Sequence, residues 1–435
     1  MKIDYQKWMR QTLVPALLLL LCPPATFLFW YTNVSLDGSL YLLWELILQQ
    51  GFFTTIYKIS SPYIFGTTTA WQIIGIFAAF ELALMKLLPG KPFYGPLTRA
   101  GNIPVYKENG PTAYVVTLFA FYLCAFQFNL FPASIIYDNF GGILGALNIF
   151  SIFFCLFLLI KGHVAPSSTD SGSSGNFIFD YFWGMELYPR IFGWDVKLFT
   201  NCRFGMMSWS LIILSFAAKQ SENTALSDSM LVAVGLQLLF VSKFFFWETG
   251  YLRSMDIMHD RAGFYICWGC LVWVPSVYTM PILYLVNHPN NLGLPLALAI
   301  FLLGGAFIII TYLADRQRQR VRATNGQCMI WRKAPKIIVG NYVTDLGESK
   351  ENLLLYSGWW GISRHFHYIP ELLGAFFWSV PALFGNFLPY FYVVFLTIVL
   401  VNRAFRDDER CKQKYGDDWD AYCDNVPHKL IPYII

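Results

Sequence analysis

Apolar runs of about twenty residues recur along the whole chain, and a helix needs about that length to cross a bilayer core. They cover residues 12–30, 39–57, 69–88, 113–133, 142–160, 205–219, 229–247, 263–285 and 294–313. A further stretch, 370–401, is long enough for two helices joined near Gly385 and Pro389, which gives about ten crossings. Closed strands, the other way to satisfy a backbone in lipid, would show ten-residue alternation instead of continuous runs. The expected fold is therefore all-α: a polytopic membrane protein of about ten transmembrane helices.

Composition supports this. Hydrophobic residues make up 56% and charged ones 13%, against about 25% charge in soluble domains. The net charge of +4 is spread over short segments between apolar runs, so no continuous basic face exists for nucleic acid. Nine cysteines are scattered, most inside apolar runs, as Cys124 and Cys155 are, and show no paired framework. Lys2, Lys7 and Arg10 precede the first run, which reads as a first transmembrane helix and not a signal peptide, since no small-residue cleavage site follows.

Three polar regions interrupt the helices: residues 166–203, a basic connector at 315–351 and a charged tail at 403–435. Arg316, Arg318, Arg320, Arg322, Arg332, Lys333 and Lys336 crowd the connector, which the positive-inside bias places in the cytosol together with the tail. The expected division is residues 1–313, a transmembrane helical region, and residues 314–435, a polar C-terminal region that includes the last spans.

The connector opens on DRQRQRVR, residues 315–322, where Arg318 and Arg322 share one helical face and could grip a phosphate. Read alone, the segment is better explained as a stop-transfer anchor facing lipid headgroups. SGWWGISRHFHY, residues 357–368, offers stacking surfaces and hydrogen-bond donors. An interface belt explains Trp359 and Tyr368 readily, and Arg364, His365 and His367 less well. NRAFRDDERCKQKYG, residues 402–416, reads alone as a solvated charged helix. On one membrane side, the three segments together could enclose an anionic, aromatic cofactor. Neither G-x-G-x-x-G after a strand nor a P-loop is present to hold one by other means.

Glu248, Asp256, His259 and Asp260 lie close to apolar segments. Carboxylates near bilayer depth suggest function, and a solvated loop or reentrant turn over 248–262 is an equal alternative. His259 and Asp260 are too few ligands for a metal site. Cys267 and Cys270 have no second pair at zinc spacing and read as packing residues. No metal is expected.

At these motifs the chain resembles the sterol reductases, a family that spans C14, C24(28) and Δ7 enzymes and the membrane domain of the lamin B receptor. The first family signature, G-x-x-L-N-P-R after an aspartate, appears as Asp180 to Arg190, with Tyr188 in place of asparagine. The second, H-R-x-x-R-D-x-x-x-C-x-x-K-Y-G, appears as Asn402 to Gly416, with Asn402 in place of histidine. SGWWG, R-H-F-H-Y and the closing W-x-x-Y-C-x-x-V-P, Trp419 to Pro427, extend the resemblance over nearly the whole chain. KGHVAPSS, GMELYPRI, KLFTNCRFGMMSW, MHDRAGFYICWGCLVWVPSVYT and ATNGQC are similar to the plant-type Δ7 branch.

The resemblance implies a multi-pass enzyme of the endoplasmic reticulum membrane that uses NADPH to saturate the C7–C8 double bond of Δ5,7-sterols. Its partners would be the sterol substrate and membrane lipid. Carried over by position, Arg318, Arg322, Leu355, Trp360, His367, Tyr368, Asp407, Cys411, Lys412, Gln413, Lys414, Tyr415 and Tyr422 would contact the cofactor. Arg318 stands where lysine is expected in animal members, and His367 where many members carry asparagine.

Protonating one end of a Δ5,7 diene gives an allylic cation that hydride can quench, so an acid and a positioned hydride are required. Candidate acids are Asp407, Glu248 and Tyr278, with Asp407 first because it falls within the inferred cofactor residues. Two rivals remain. A scaffold role like that of the lamin B receptor would call for a long basic N-terminal extension, and a methyltransferase of the isoprenylcysteine type would bind S-adenosylmethionine.

Overall fold

The computed structural model describes residues 5–98, 100–343 and 347–434. Lys2, residues 344–346 of the connector and the last residue of the tail lie outside them. The chain forms two compact units, Met1–Asn291 with Ala382–Pro389, and Leu292–Pro381 with Tyr390–Ile435. The second unit includes the whole Leu294–Ala323 helix.

Eight helices among the described residues are long and apolar enough to cross a membrane. They are Tyr5–Ser35, Thr68–Leu87, Gly110–Gln127, Phe140–Val164, Asp228–Phe246, Phe264–Asn287, Leu294–Ala323 and Leu388–Tyr415. The protein is a polytopic helical membrane protein. Several starts are written locally: Thr67 and Ser227 each accept a backbone N–H three residues on, at 3.2 Å, and so satisfy a donor the first turn leaves open.

Three expected spans take another form. Residues 39–57 break at Gly51, whose φ of +83° ends one helix, Leu40–Gln50, and begins another, Phe52–Ser60. At 1.5 Å per residue each reaches only about 14–16 Å, half of a bilayer core. Residues 205–219 begin at the end of the wide turns of Leu198–Met206 and continue in Met207–Asn223, an interior helix that buries Ser208, Ser210, Ser215 and Gln220. Gln220 donates to the Leu285 carbonyl at 2.6 Å and accepts from the Ser227 amide at 2.8 Å. Residues 370–401 give one short helix, Tyr368–Ser379, and one long one, Phe391–Tyr415. Pro381 and Pro389 interrupt the path between them.

Inside Phe264–Asn287, wide helical turns surround Pro275. Ser276 and Thr279 donate to the carbonyls of Val272, at 2.8 Å, and Pro275, at 2.6 Å. These back-bonds to carbonyls one turn earlier satisfy buried hydroxyls that have no water to turn to in lipid.

The Asp180–Arg190 signature is a structural junction of the first unit. Asp180 accepts from Ser173 Oγ at 2.5 Å and the Ser174 amide at 2.8 Å. Glu186 pairs with Lys161 at 2.7 Å, and Arg190 donates to the Val105 carbonyl at 2.7 Å. Gly184 has φ +103°, and a Cβ there would come within 2.6 Å of the Ala262 carbonyl carbon and the Gly263 nitrogen. Gly184→Ala therefore combines backbone strain with a backbone clash. It is expected to cost roughly 2–5 kcal/mol, read as a lowered Tm in detergent; an unchanged Tm would remove this account.

Candidate functional site

The second unit brings the three basic and aromatic segments together around the end of one helix. Leu294–Ala323 is apolar to Leu313 and then carries the arginines. Two antiparallel strands follow, Ile337–Val343 and Ser349–Leu355, with Ile337 opposite Leu355. Their inner ends pack on the helix: Val321, Ile330, Leu355 and Trp360 form one buried cluster. A tight turn, Gly358–Gly361, places Trp360 there, and its indole N–H donates to the Ala314 carbonyl at 2.8 Å.

Arg318 lies over the Trp360 ring, its guanidinium carbon 4.0 Å from the centroid, and meets Asp315 at 3.4 Å. This stacking holds the cation without using up its donors. Arg322, one turn on, reaches the Leu353 carbonyl at 3.4 Å. The aromatic face continues from Trp360 to His367, centroids 5.0 Å apart, then to Tyr368 at 4.2 Å and to His365, parallel to Tyr368 at 5.4 Å.

Asp407 is ion-paired to Arg410, and its charge reaches His365. Asp408 pairs with Lys429 at 2.9 Å and Arg364 at 3.3 Å. Arg364 also donates to the Val426 carbonyl at 2.9 Å, while the Arg364 and His365 amides bond the carbonyls of His428 and Lys429. The closing segment thus fastens the R-H-F-H-Y segment in place.

Tyr415 and Tyr422 are buried with Leu354, Trp419 and Val426, and Cys411 packs against them. Asn352 donates to the Tyr415 hydroxyl at 2.9 Å. Arg318 and Arg322 both lie within electrostatic reach of the Tyr422 hydroxyl, whose pKa burial pushes up. Lys412, Gln413 and Lys414 are exposed. Lys412 is paired with Asp420, and Lys414 lies over the Tyr342 ring at 3.7 Å. Of the thirteen residues inferred as cofactor contacts, these three and Arg322 are exposed in this structure.

Buried nitrogens of this region without a hydrogen-bond partner among the described residues include His365 Nε2, Arg406 Nε and Arg410 Nη1. Buried polar atoms are costly when left unsatisfied, so the region is suited to an anionic ligand that the chain itself does not provide. His365, 4% exposed, belongs to a motif that an interface belt explains poorly, and it is not among the residues the resemblance assigns to the cofactor. Its motif was legible, but its burial was not.

Burial lowers the His365 pKa to about 4, against the raising effect of Asp407. The unfolded chain then binds a proton near pH 6.5 that the folded chain refuses until about pH 4. Stability should therefore fall by up to about 3 kcal/mol as pH drops through that window, with no contribution above it. Comparing urea or thermal unfolding of the protein and of His365→Gln across pH 4–7 checks this; parallel curves would refute it.

The other two candidate acids lie in the first unit. Glu248 is ion-paired to Arg203 and accepts from the Gly110 amide at 2.9 Å, while Arg203 also donates to Asn109 at 3.0 Å. All of these side chains are buried, so 248–262 does not begin as a solvated loop. Nearby, Thr117 donates to buried Glu81 at 2.5 Å. Tyr278 is half-buried, edge-on to Trp209 at 5.2 Å. The Asp260 carbonyl accepts from Lys197 at 2.6 Å, and burial brings Lys197 down to about 8. Among the described residues no three His, Cys, Asp or Glu side chains come together to hold a metal.

The model of the ergosterol biosynthesis ERG4/ERG24 family matches residues 25–435. This chain belongs to the ERG4/ERG24 family. Among its relatives, a 7-dehydrocholesterol reductase of Arabidopsis thaliana is 56% identical over 419 residues, 96% of each chain. One from Xenopus laevis is 38% identical, covering 84% of this chain and 80% of the relative. A Delta(14)-sterol reductase of Methylotuvimicrobium alcaliphilum is 34% identical, covering 96% and 93%. The family therefore includes members named for different double bonds, and both kinds align with nearly all of this ERG4/ERG24 chain.

Proposed function

We propose that this chain reduces the C7–C8 double bond of Δ5,7-sterols with NADPH, as a multi-pass enzyme of the endoplasmic reticulum membrane. The observation that carries the cofactor reading is Arg318 stacked on Trp360 beside the unpartnered nitrogens of His365, Arg406 and Arg410. Choice of the Δ7 bond rests on 56% identity to the plant relative of that name.

NADPH, when bound, supplies hydride. The chain's own work is to bind, orient and protonate. Arg318, Arg322, Arg406 and Arg410 offer donors for phosphate oxygens, and arginine binds these in a fixed two-pronged geometry. Leu355, Trp360, His367, Tyr368, Cys411, Tyr415 and Tyr422 supply flat and apolar surface, and Lys412, Gln413 and Lys414 form the exposed rim. Residues 1–313 would surround the sterol with apolar helices, and residues 314–435 would provide the cofactor contacts.

Asp407 is the leading proton donor. Asp407 is ion-paired to Arg410 in this structure, so acid duty requires Arg410 to exchange Asp407 for another anion. Tyr278, edge-on to Trp209, is a hydroxyl donor, and Glu248 would first have to leave Arg203.

Arg318→Glu should weaken NADPH binding about 10- to 100-fold, as expected for loss of a charged hydrogen bond, measured by titration of purified protein. Unchanged affinity would take Arg318 out of the site. The function itself is tested by a membrane assay with NADPH and either 7-dehydrocholesterol or a Δ14-sterol, with products identified by mass spectrometry. Conversion of the Δ5,7 diene alone supports the proposal; conversion of the Δ14-sterol alone overturns it.

A further inference from the structure

Residues 316–343 contain no Asp or Glu, while seven Arg and Lys fall within 316–336. Four of these belong to the helix end already described. The other three, Arg332, Lys333 and Lys336, are exposed on a separate feature.

After Ala323 the chain reverses through Asn325 and Gly326, both at positive φ, and the Gly326 amide donates back to Val321 at 2.8 Å. It then runs beside the helix it has just left, because buried Ile330 packs against Val321 and Trp360. Ile330 and Lys333 exchange both backbone hydrogen bonds, at 2.8 and 2.9 Å, which closes a two-residue turn. The two residues in the turn are Trp331, φ +47°, and Arg332, φ +66°. Turns of this kind favour Asn-Gly, since both positions need left-handed backbone. A Trp-Arg pair is a poor choice for the fold, and strained positions of this sort are retained where the side chains have work to do.

The level of the turn relative to the membrane follows from the helix. The apolar run ends at Leu313. Gln317 is four residues further, about 6 Å along the axis, and its side chain accepts from the Trp359 amide at 2.9 Å. Trp331 packs edge-on to Trp359 at 5.1 Å. The polar layer outside a hydrocarbon core is about 5–8 Å deep on each side, so Trp331 lies at headgroup depth. Trp331 and Met329 remain 58% and 59% exposed there. An exposed tryptophan and methionine flanked by three exposed cations match the chemistry of an anionic lipid surface, apolar below and phosphate above.

We propose that the Trp331–Arg332 turn is a docking surface for anionic phospholipid, with Met329 and Trp331 entering the interface and Arg332, Lys333 and Lys336 meeting lipid phosphates. The full chain is placed in nanodiscs of phosphatidylcholine alone or mixed with phosphatidylserine, and hydrogen exchange of residues 327–336 is followed. Exchange slows roughly tenfold with phosphatidylserine, and high salt removes the effect. Arg332→Glu with Lys333→Glu and Lys336→Glu abolishes the slowing. Trp331→Asn with Arg332→Gly, which suits the same turn backbone, weakens it while the rest of the protein exchanges as before. Equal exchange in the two lipid mixtures overturns the proposal. So does equal protection on adding NADPH to lipid-free protein in detergent, which would assign the turn to the cofactor.

Discussion

Asp407→Asn loses sterol reduction by about 100- to 10,000-fold, the range expected when a positioned acid is removed, while its Tm and helix content stay near those of the parent. The substitution keeps size and shape and removes both the transferable proton and the charge that answers Arg410. Turnover under saturating NADPH separates two roles. A fall in kcat at unchanged NADPH affinity marks Asp407 as the proton donor. A loss that appears only as a raised KM for NADPH, with kcat unchanged, marks it as the residue that sets the Arg410 fork, and moves the search for the acid to Tyr278. Normal turnover removes Asp407 from both.

Glu248→Gln has its large effect on the fold. Arg203 is fully buried, and Glu248 is its carboxylate partner, with Asn109 and the Gly110 amide completing the group. Neutralising one partner leaves a buried charge uncompensated, which typically costs about 3–5 kcal/mol. Against a total stability of about 5–15 kcal/mol, that is enough to depress expression sharply and lower the Tm by many degrees. The double variant Arg203→Met, Glu248→Met recovers part of the loss, because both charges go together. Yield and thermal melting in detergent read the outcome. A Glu248→Gln protein that melts like the parent yet fails to turn over would instead make Glu248 a catalytic acid.

The pair also shows where sequence reasoning stopped. Glu248 stood out because carboxylates near apolar runs are costly, and cost alone does not say whether the remedy is chemistry or a salt bridge. Arg203 lies 45 residues away and Asn109 farther still, so only the folded chain could show that the remedy was pairing. At 39–57 the composition suffices for a span, but one glycine at positive φ ends the helix halfway. At 402–416 the motif was legible as a whole, yet helical periodicity turns Asp407 and Cys411 inward and Lys412 to Lys414 outward.

What the sequence determined by itself is whatever depends on local composition and spacing: a membrane-spanning helical chain, its principal helices, and motif segments specific enough to identify a family. These survive because lipid demands long apolar helices wherever the chain crosses, a condition each segment meets alone. What only the tertiary structure decided is how buried polar groups and rings are settled: that Glu248 answers Arg203, that Arg318 rests on Trp360, that His365 is buried, and that Trp331 turns back against Trp359. Each of these is a contact between distant segments, and the free energy of a buried charge or ring depends on which partner is there.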